Sequence, residues 1–192
     1  MHSRYRSQSI RLPQWDYSQA GWYFVTICTK DRQCVLGEII DGAVVLSSAG
    51  KIVEEEWQQT VTIRPHVDLD EFVVMPNHLH GILVINEGQK KTSHRDVSTK
   101  SRLQSQSLGA IIGQFKSVCT KRIRGAGFSR FGWQPRFYEH VIRDERSLEN
   151  IRQYIVDNPT KWELDDDNPK NFKINPRRRS TGTSLQRRDD SR

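Results

Sequence analysis

Residues 72–85 read FVVMPNHLHGILVI, two apolar stretches separated by Pro76-Asn77, and no other block constrains the fold as much. β-Branched and aromatic residues at this density suit strands, and proline cannot donate to a ladder. Val67, Leu69 and Glu71–Val74 therefore lead into one strand and His78–Ile85 forms the next, and the short interruption brings them together as antiparallel neighbours.

The rest of the pattern extends that sheet. Residues 22–28, WYFVTIC, predict a first main strand with too many apolar groups for an exposed edge. Two short strands are expected around Cys34–Leu36 and Ala43–Leu46, with Asp41-Gly42 as the turn between them. Ser47 or Ser48 can cap a helix running to about Gln59, its Ile52, Val53 and Trp57 at the spacing of a helix resting on a sheet. A second helix is expected from about Ser107 to Arg124, with Leu108, Ile111, Ile112, Phe115, Val118 and Cys119 as its apolar stripe. Phe137–Ile142 supplies the fourth main strand. A last helix starts at Asp144–Ser147 and stops at about residue 158, because Pro159 disfavours helical geometry in the residue before it. Strand, helix, strand, strand, helix, strand is the split βαβ order: an α+β, ferredoxin-like fold, its antiparallel sheet carrying helices on one face.

The flanks differ in character. Residues 1–20 read as an N-terminal arm, 21–162 as the folded catalytic domain, and 163–192 as a polar, basic and irregular tail. Within the domain, residues 86–106 are polar and poor in core residues, which predicts a mobile loop. No apolar run approaches the roughly 20 residues of a membrane-spanning helix, and no apolar block follows the basic start. Cys28, Cys34 and Cys119 show no CxxC pairing, so reduced thiols in a cytoplasmic protein are expected. The net charge of +7, from 30 basic and 23 acidic residues, suits a polyanionic partner, nucleic acid being the simplest.

His78 and His80 flank Leu79 in a strand, so both imidazoles share one face while Leu79 enters the other. Neutral imidazole ligates several divalent metals, although an HxH pair alone also occurs as an exposed polar pair. Tyr154 lies on the last helix with Asn158 one turn later on the same face. A tyrosine hydroxyl, with a pKa of about 10, attacks phosphorus only with help, and a metal held by His78 and His80 could polarise the phosphate. Asn158 offers an amide oxygen as a third ligand. Taken singly, Tyr154 is also a packing residue and Asn158 a helix terminator.

Three blocks now carry a resemblance: residues 72–81, FVVMPNHLHG; residues 133–143, WQPRFYEHVIR; and residues 154–159, YIVDNP. With Trp22–Thr26 as the first strand, the chain resembles the REP-associated tyrosine transposases, single-tyrosine HUH-type enzymes, over roughly residues 10–162. The resemblance implies a ferredoxin-like, divalent-metal-dependent endonuclease and strand transferase acting on single-stranded or hairpin-forming DNA, with Mg²⁺ or Mn²⁺ as cofactor. It aligns His78 and His80 with the paired ligands, Tyr154 with the nucleophile and Asn158 with the polar ligand beyond it. Attack would leave a 5′-phosphotyrosine and a free 3′-hydroxyl, and a 3′-hydroxyl from another strand could rejoin the DNA without external energy. The resemblance admits a monomer, or a dimer in which one chain's tyrosine serves the other's histidines.

Tyr138 and His140 share a face of the fourth strand, a rival nucleophile and a possible accessory ligand, or simply sheet-face packing. Lys116, Lys121, Arg122 and Arg124, with Arg130 and Arg136, could contact phosphates, giving affinity and position rather than base specificity. Two other functions fit less of the pattern: a non-catalytic nucleic-acid-binding module on the same fold, and a metallo-phosphoesterase for small substrates.

Overall fold

The computed structural model describes residues 16–87, 106–165 and 167–173. The arm through residue 15, most of the 86–106 loop and the tail from residue 174 lie outside the described residues. The strands are β1 (Gly21–Cys28), β2 (Gly37–Ile40), β3 (Ala43–Leu46), β4 (Val67–Val74), β5 (His78–Ile85) and β6 (Tyr138–Ile142). The helices are α1 (Ser48–Ile63), α2 (Leu108–Gly125) and α3 (Glu145–Asp157). The main sheet is antiparallel in the order β4-β5-β1-β6, so β5 lies between the two strands joined by α1. That is the ferredoxin-like arrangement, α+β as the element order implies.

Register positions both faces. Tyr23, Val25 and Ile27 pair with Leu83, Gly81 and Leu79, while Phe24, Thr26 and Cys28 pair with Ile82, His80 and His78. The first set packs under α1 and α2, where buried Trp57 meets Phe115 edge-on at 5.2 Å. Gly81 is required beneath that ring, since a Cβ there would lie 2.7 Å from Trp57 Cζ2. The second set packs under α3, through Leu148, Ile151 and Ile155. Helices therefore cover both faces: α1 and α2 occupy one, as the split βαβ order requires, and α3 crosses to the other. The reason is visible in β5, whose eight residues are all buried and must be covered on both sides.

Three boundaries move. The first short strand lies at Gly37–Ile40 instead of Cys34–Leu36. Asp41 and Gly42 both have positive φ in a two-residue turn, which sets Ile40 opposite Ala43 and Gly37 opposite Leu46. Leu36 bonds elsewhere: its N–H donates to Pro76 O and its carbonyl accepts from Ser47 N. Helix α1 continues past Gln59 to Ile63, held by the buried Thr60. At the end of α3, Asn158 keeps helical angles (φ −58°, ψ −42°) despite Pro159, and the chain runs on into a 3₁₀ turn over Pro159–Leu164. A second such turn spans Pro169–Lys173, and Asp167, between the two turns, bonds back to the domain at Arg32 and Asn77, in the segment expected to be an irregular tail.

Candidate active site

The site grows from β5. His78 and His80 point to the α3 face and are fully buried. Asn77 Nδ2 donates to the carbonyls of Arg32 (3.1 Å) and Asp167 (2.8 Å), which leaves its Oδ1 as the acceptor 2.8 Å from His78 Nδ1. His78 therefore carries its proton on Nδ1, and its Nε2 lone pair faces His80 Nε2 at 2.9 Å. His80 Nδ1 lies 2.8 Å from Thr26 Oγ1, a hydroxyl that can donate or accept and so permits either tautomer. Burial, with the Arg32 guanidinium second, lowers the His78 pKa to about 3. Burial and then His78 itself hold His80 well below the ordinary value, against a smaller opposing pull from Asp167. Both rings are thus neutral at pH 7, the state in which imidazole binds metal.

Helix α3 brings the second half. Asp144 caps it by accepting from Ser147 N at 2.8 Å, and Arg152 clamps it to β4 through two hydrogen bonds to Asp70, at 2.8 and 2.7 Å. Tyr154 then lies with its hydroxyl 3.3 Å from His80 Nε2 and its ring edge-on to Phe24 at 6.0 Å. Asn158, one turn on, is 3% exposed, and its Oδ1 is buried with no hydrogen-bond partner among the described residues. An orphaned buried amide oxygen is costly unless something else occupies its lone pairs.

A residue that the sequence analysis assigns to the tail joins them. Ligand atoms of His78, His80 and Asp165 all lie within 4.8 Å of one another. The turns after α3 bring Asp165 back, with Trp162 against the His78 ring at 6.0 Å. Its only sequence signal is a carboxylate seven residues beyond Asn158, on the far side of a proline turn. The donors fit a divalent cation: two imidazole nitrogens, an amide oxygen without a partner and a carboxylate. The 2.9 Å between the two Nε2 atoms also suits adjacent ligands, since atoms about 2.1 Å from one ion at a right angle lie about 3 Å apart.

Tyr138 and His140 do share the α3 face of β6, registered opposite Thr26 and Phe24. The Tyr138 ring packs edge-on against Phe24 at 6.2 Å, and β1 separates it from the histidines, whereas Tyr154 reaches His80 directly. Lys121, Arg130 and Arg136 are exposed. Arg122 bridges to Glu55 (2.7 Å) and Glu56 (2.6 Å) on α1, and Arg124 Nε donates to Phe131 O at 2.9 Å. Lys116 is half-buried, donating to Gln134 O at 2.5 Å, and burial lowers its pKa. Lys30, Lys116, Lys121 and Arg124 nevertheless line one open groove of about 700 Å³ beside Trp133 and Phe137, with no carboxylate in its lining.

Comparison with known proteins gives the family. A Haemophilus influenzae protein named "Putative REP-associated tyrosine transposase" is 30% identical over 147 residues, covering 76% of this chain and 74% of its own. The chain belongs to the REP-associated tyrosine transposase family. As a REP-associated tyrosine transposase it is an enzyme of DNA transposition. An uncharacterized Haemophilus influenzae protein is 39% identical over 163 residues, 82% of this chain and 91% of that one. The REP-associated tyrosine transposase of Escherichia coli is 26% identical over 145 residues, 76% and 70% of the two chains. Among solved structures, a REP-associated tyrosine transposase bound to a REP hairpin shares the fold, with a TM-score of 0.55 at 21% identity over 80% of this chain and 74% of that one. No family model matches the chain. Among the described residues no helix is long and apolar enough to cross a membrane.

Proposed function

We propose that this transposase is a metal-dependent single-strand DNA endonuclease and strand transferase working through Tyr154. The observation that carries the reading is the Tyr154 hydroxyl 3.3 Å from His80, with Asn158 one helical turn further on presenting a buried oxygen that has no partner among the described residues. His78, His80 and Asn158 would hold Mg²⁺ or Mn²⁺, which when bound supplies Lewis-acid polarisation of the scissile phosphate.

The chain's own groups supply the rest. Asn77 and Thr26 fix the two rings so that the Nε2 atoms converge. Phe24 and the Arg152–Asp70 clamp hold the phenol in place, so orientation costs little when substrate arrives. Tyr154 Oη forms a bond to phosphorus as the bond from phosphorus to the 3′-oxygen breaks. The proton lost from Oη balances the one gained by the departing 3′-hydroxyl, and the 5′ end stays on tyrosine. A second 3′-hydroxyl reverses the step and joins a new strand, the bond energy having been kept in the phosphotyrosine.

The substrate is a hairpin-bearing single strand, by analogy with the relatives' REP association and the hairpin held by the solved relative. Lys121, Arg130 and Arg136, all exposed, would contact its phosphates, and the work is cytoplasmic, where chromosomal DNA lies. From the 3.3 Å between the Tyr154 hydroxyl and His80 we infer a monomer with the tyrosine acting in cis.

The test is covalent capture. Labelled hairpin-bearing single strands incubated with the protein and Mg²⁺ or Mn²⁺ should yield a denaturation-resistant protein–DNA adduct, absent with EDTA. DNA binding without an adduct under either metal would reduce the protein to a binding module. Turnover of small phosphoesters without capture would make it a phosphoesterase.

A further inference from the structure

We propose that Asp165 is an anionic ligand of the same metal site, delivered by the turn that follows α3. The proposal rests on the reading that the site holds a divalent cation, and adds to it the donor that supplies charge. An imidazole nitrogen and an amide oxygen are uncharged donors, so His78, His80 and Asn158 bring no negative charge to a buried position. A dication taken out of water among neutral ligands is poorly compensated, and a carboxylate within reach changes that balance. Asp165 is the carboxylate within reach, its oxygen within 4.8 Å of both histidine ligand nitrogens.

The turn is built to keep it there. Asp165 Oδ1 accepts from Asp167 N at 2.6 Å, and Asp165 O accepts from Asn171 Nδ2 at 2.8 Å. Asn168, itself 3% exposed, donates from Nδ2 to Trp162 O at 3.0 Å. Asp167 pairs with Arg32, and its carbonyl takes the Asn77 amide that orients His78. The hydrogen bonds that aim His78 and those that place Asp165 thus form one network. Asn158, one helical turn after Tyr154, adds a buried Oδ1 that has no hydrogen-bond partner among the described residues. Tyr154, Asn158 and Asp165 then come from one continuous stretch, which makes cation binding and docking of residues 159–165 linked events.

Mn²⁺ affinity of the full chain, read by calorimetry and by the electron paramagnetic resonance signal of free Mn²⁺, tests this without reference to activity. Asp165→Asn keeps size and an acceptor for Asp167 N–H but removes the charge, and should weaken Mn²⁺ at least tenfold, as losses around metal sites commonly reach ten- to a hundredfold. It should also shrink the Mn²⁺-induced rise in melting temperature, with the melt in EDTA unchanged. Glu163→Gln removes an equal charge from an exposed neighbour and should leave the affinity within twofold. Equal losses in the two variants would overturn ligation in favour of a diffuse field. Unchanged affinity in Asp165→Asn, with binding abolished by His80→Ala, would overturn the Asp165 assignment alone. A wild-type chain that binds no Mn²⁺ would overturn both this and the metal-site reading.

Discussion

Acidification of the metal-free protein should cost stability in a pH window fixed by the buried imidazoles. Burial lowers the His78 pKa from 6.5 to about 3, with Arg32 contributing second. Below pH 6.5 the unfolded chain takes up a proton that the folded chain refuses. Stability is therefore full above that pH and falls as the pH drops toward 3. One pKa unit corresponds to about 1.4 kcal/mol, so His78 alone should cost about 2 kcal/mol at pH 5 and about 3 kcal/mol at pH 4. His80 moves the same way, for burial and then His78 depress it as well. Against a total of about 5–15 kcal/mol, that is a large fraction. The Arg152 hydrogen bond holds Asp70 below the ordinary carboxylate value, so its own stabilisation is lost only as the pH falls through that value, outside a comparison between pH 7.5 and pH 5. Urea unfolding in EDTA at pH 7.5 and pH 5 reads the difference. In His78→Gln the loss between those pH values should shrink by about 2 kcal/mol. Equal stabilities of the wild-type protein at the two pH values would refute the reasoning, as would an unaltered pH slope in His78→Gln.

Two further outcomes check other parts of the structure. Gly81→Ala should destabilise by about 1–3 kcal/mol in urea melts, because its Cβ would meet the fully buried Trp57 ring at 2.7 Å; a change under about 0.5 kcal/mol would contradict that packing. Lys121→Ala should reduce the magnitude of the slope of log Kd against log salt for DNA by about 1, whereas Arg122→Ala should leave the slope unchanged, its guanidinium being paired with Glu55 and Glu56. Equal slope changes in both variants would put Arg122 on the DNA.

Much of this site is written in local sequence, and the remainder depends on contacts that local sequence does not express. The two-residue break at Pro76-Asn77 and the alternation through His78, Leu79 and His80 are short-range signals, and the hairpin follows them. Tyr154 and Asn158 share a helical face by spacing alone. The crossing of α3 to the opposite face depends on β5 being buried on both sides, and that in turn depends on strand order. The slip of β2 from residues 34–36 to 37–40 follows from the turn register, which the apolar pattern does not encode. Asn158 stays helical before Pro159 because the following 3₁₀ turn accepts that geometry, overriding the usual pre-proline bias. Asp165 was the least legible: within an acidic run it reads as a solvated tail, and only the returning turn sets it beside His78 and His80.

The central claim is that Tyr154 is the nucleophile, in the same chain as the histidines it faces. Peptide mapping by mass spectrometry of the adduct formed on a hairpin-bearing strand tests it most directly. The account predicts a phosphonucleotide on Tyr154, loss of the adduct in Tyr154→Phe, and no rescue when Tyr154→Phe is mixed with His80→Ala. A nucleotide mapped to Tyr138, an adduct that survives Tyr154→Phe, or capture restored by mixing the two inactive chains would contradict it.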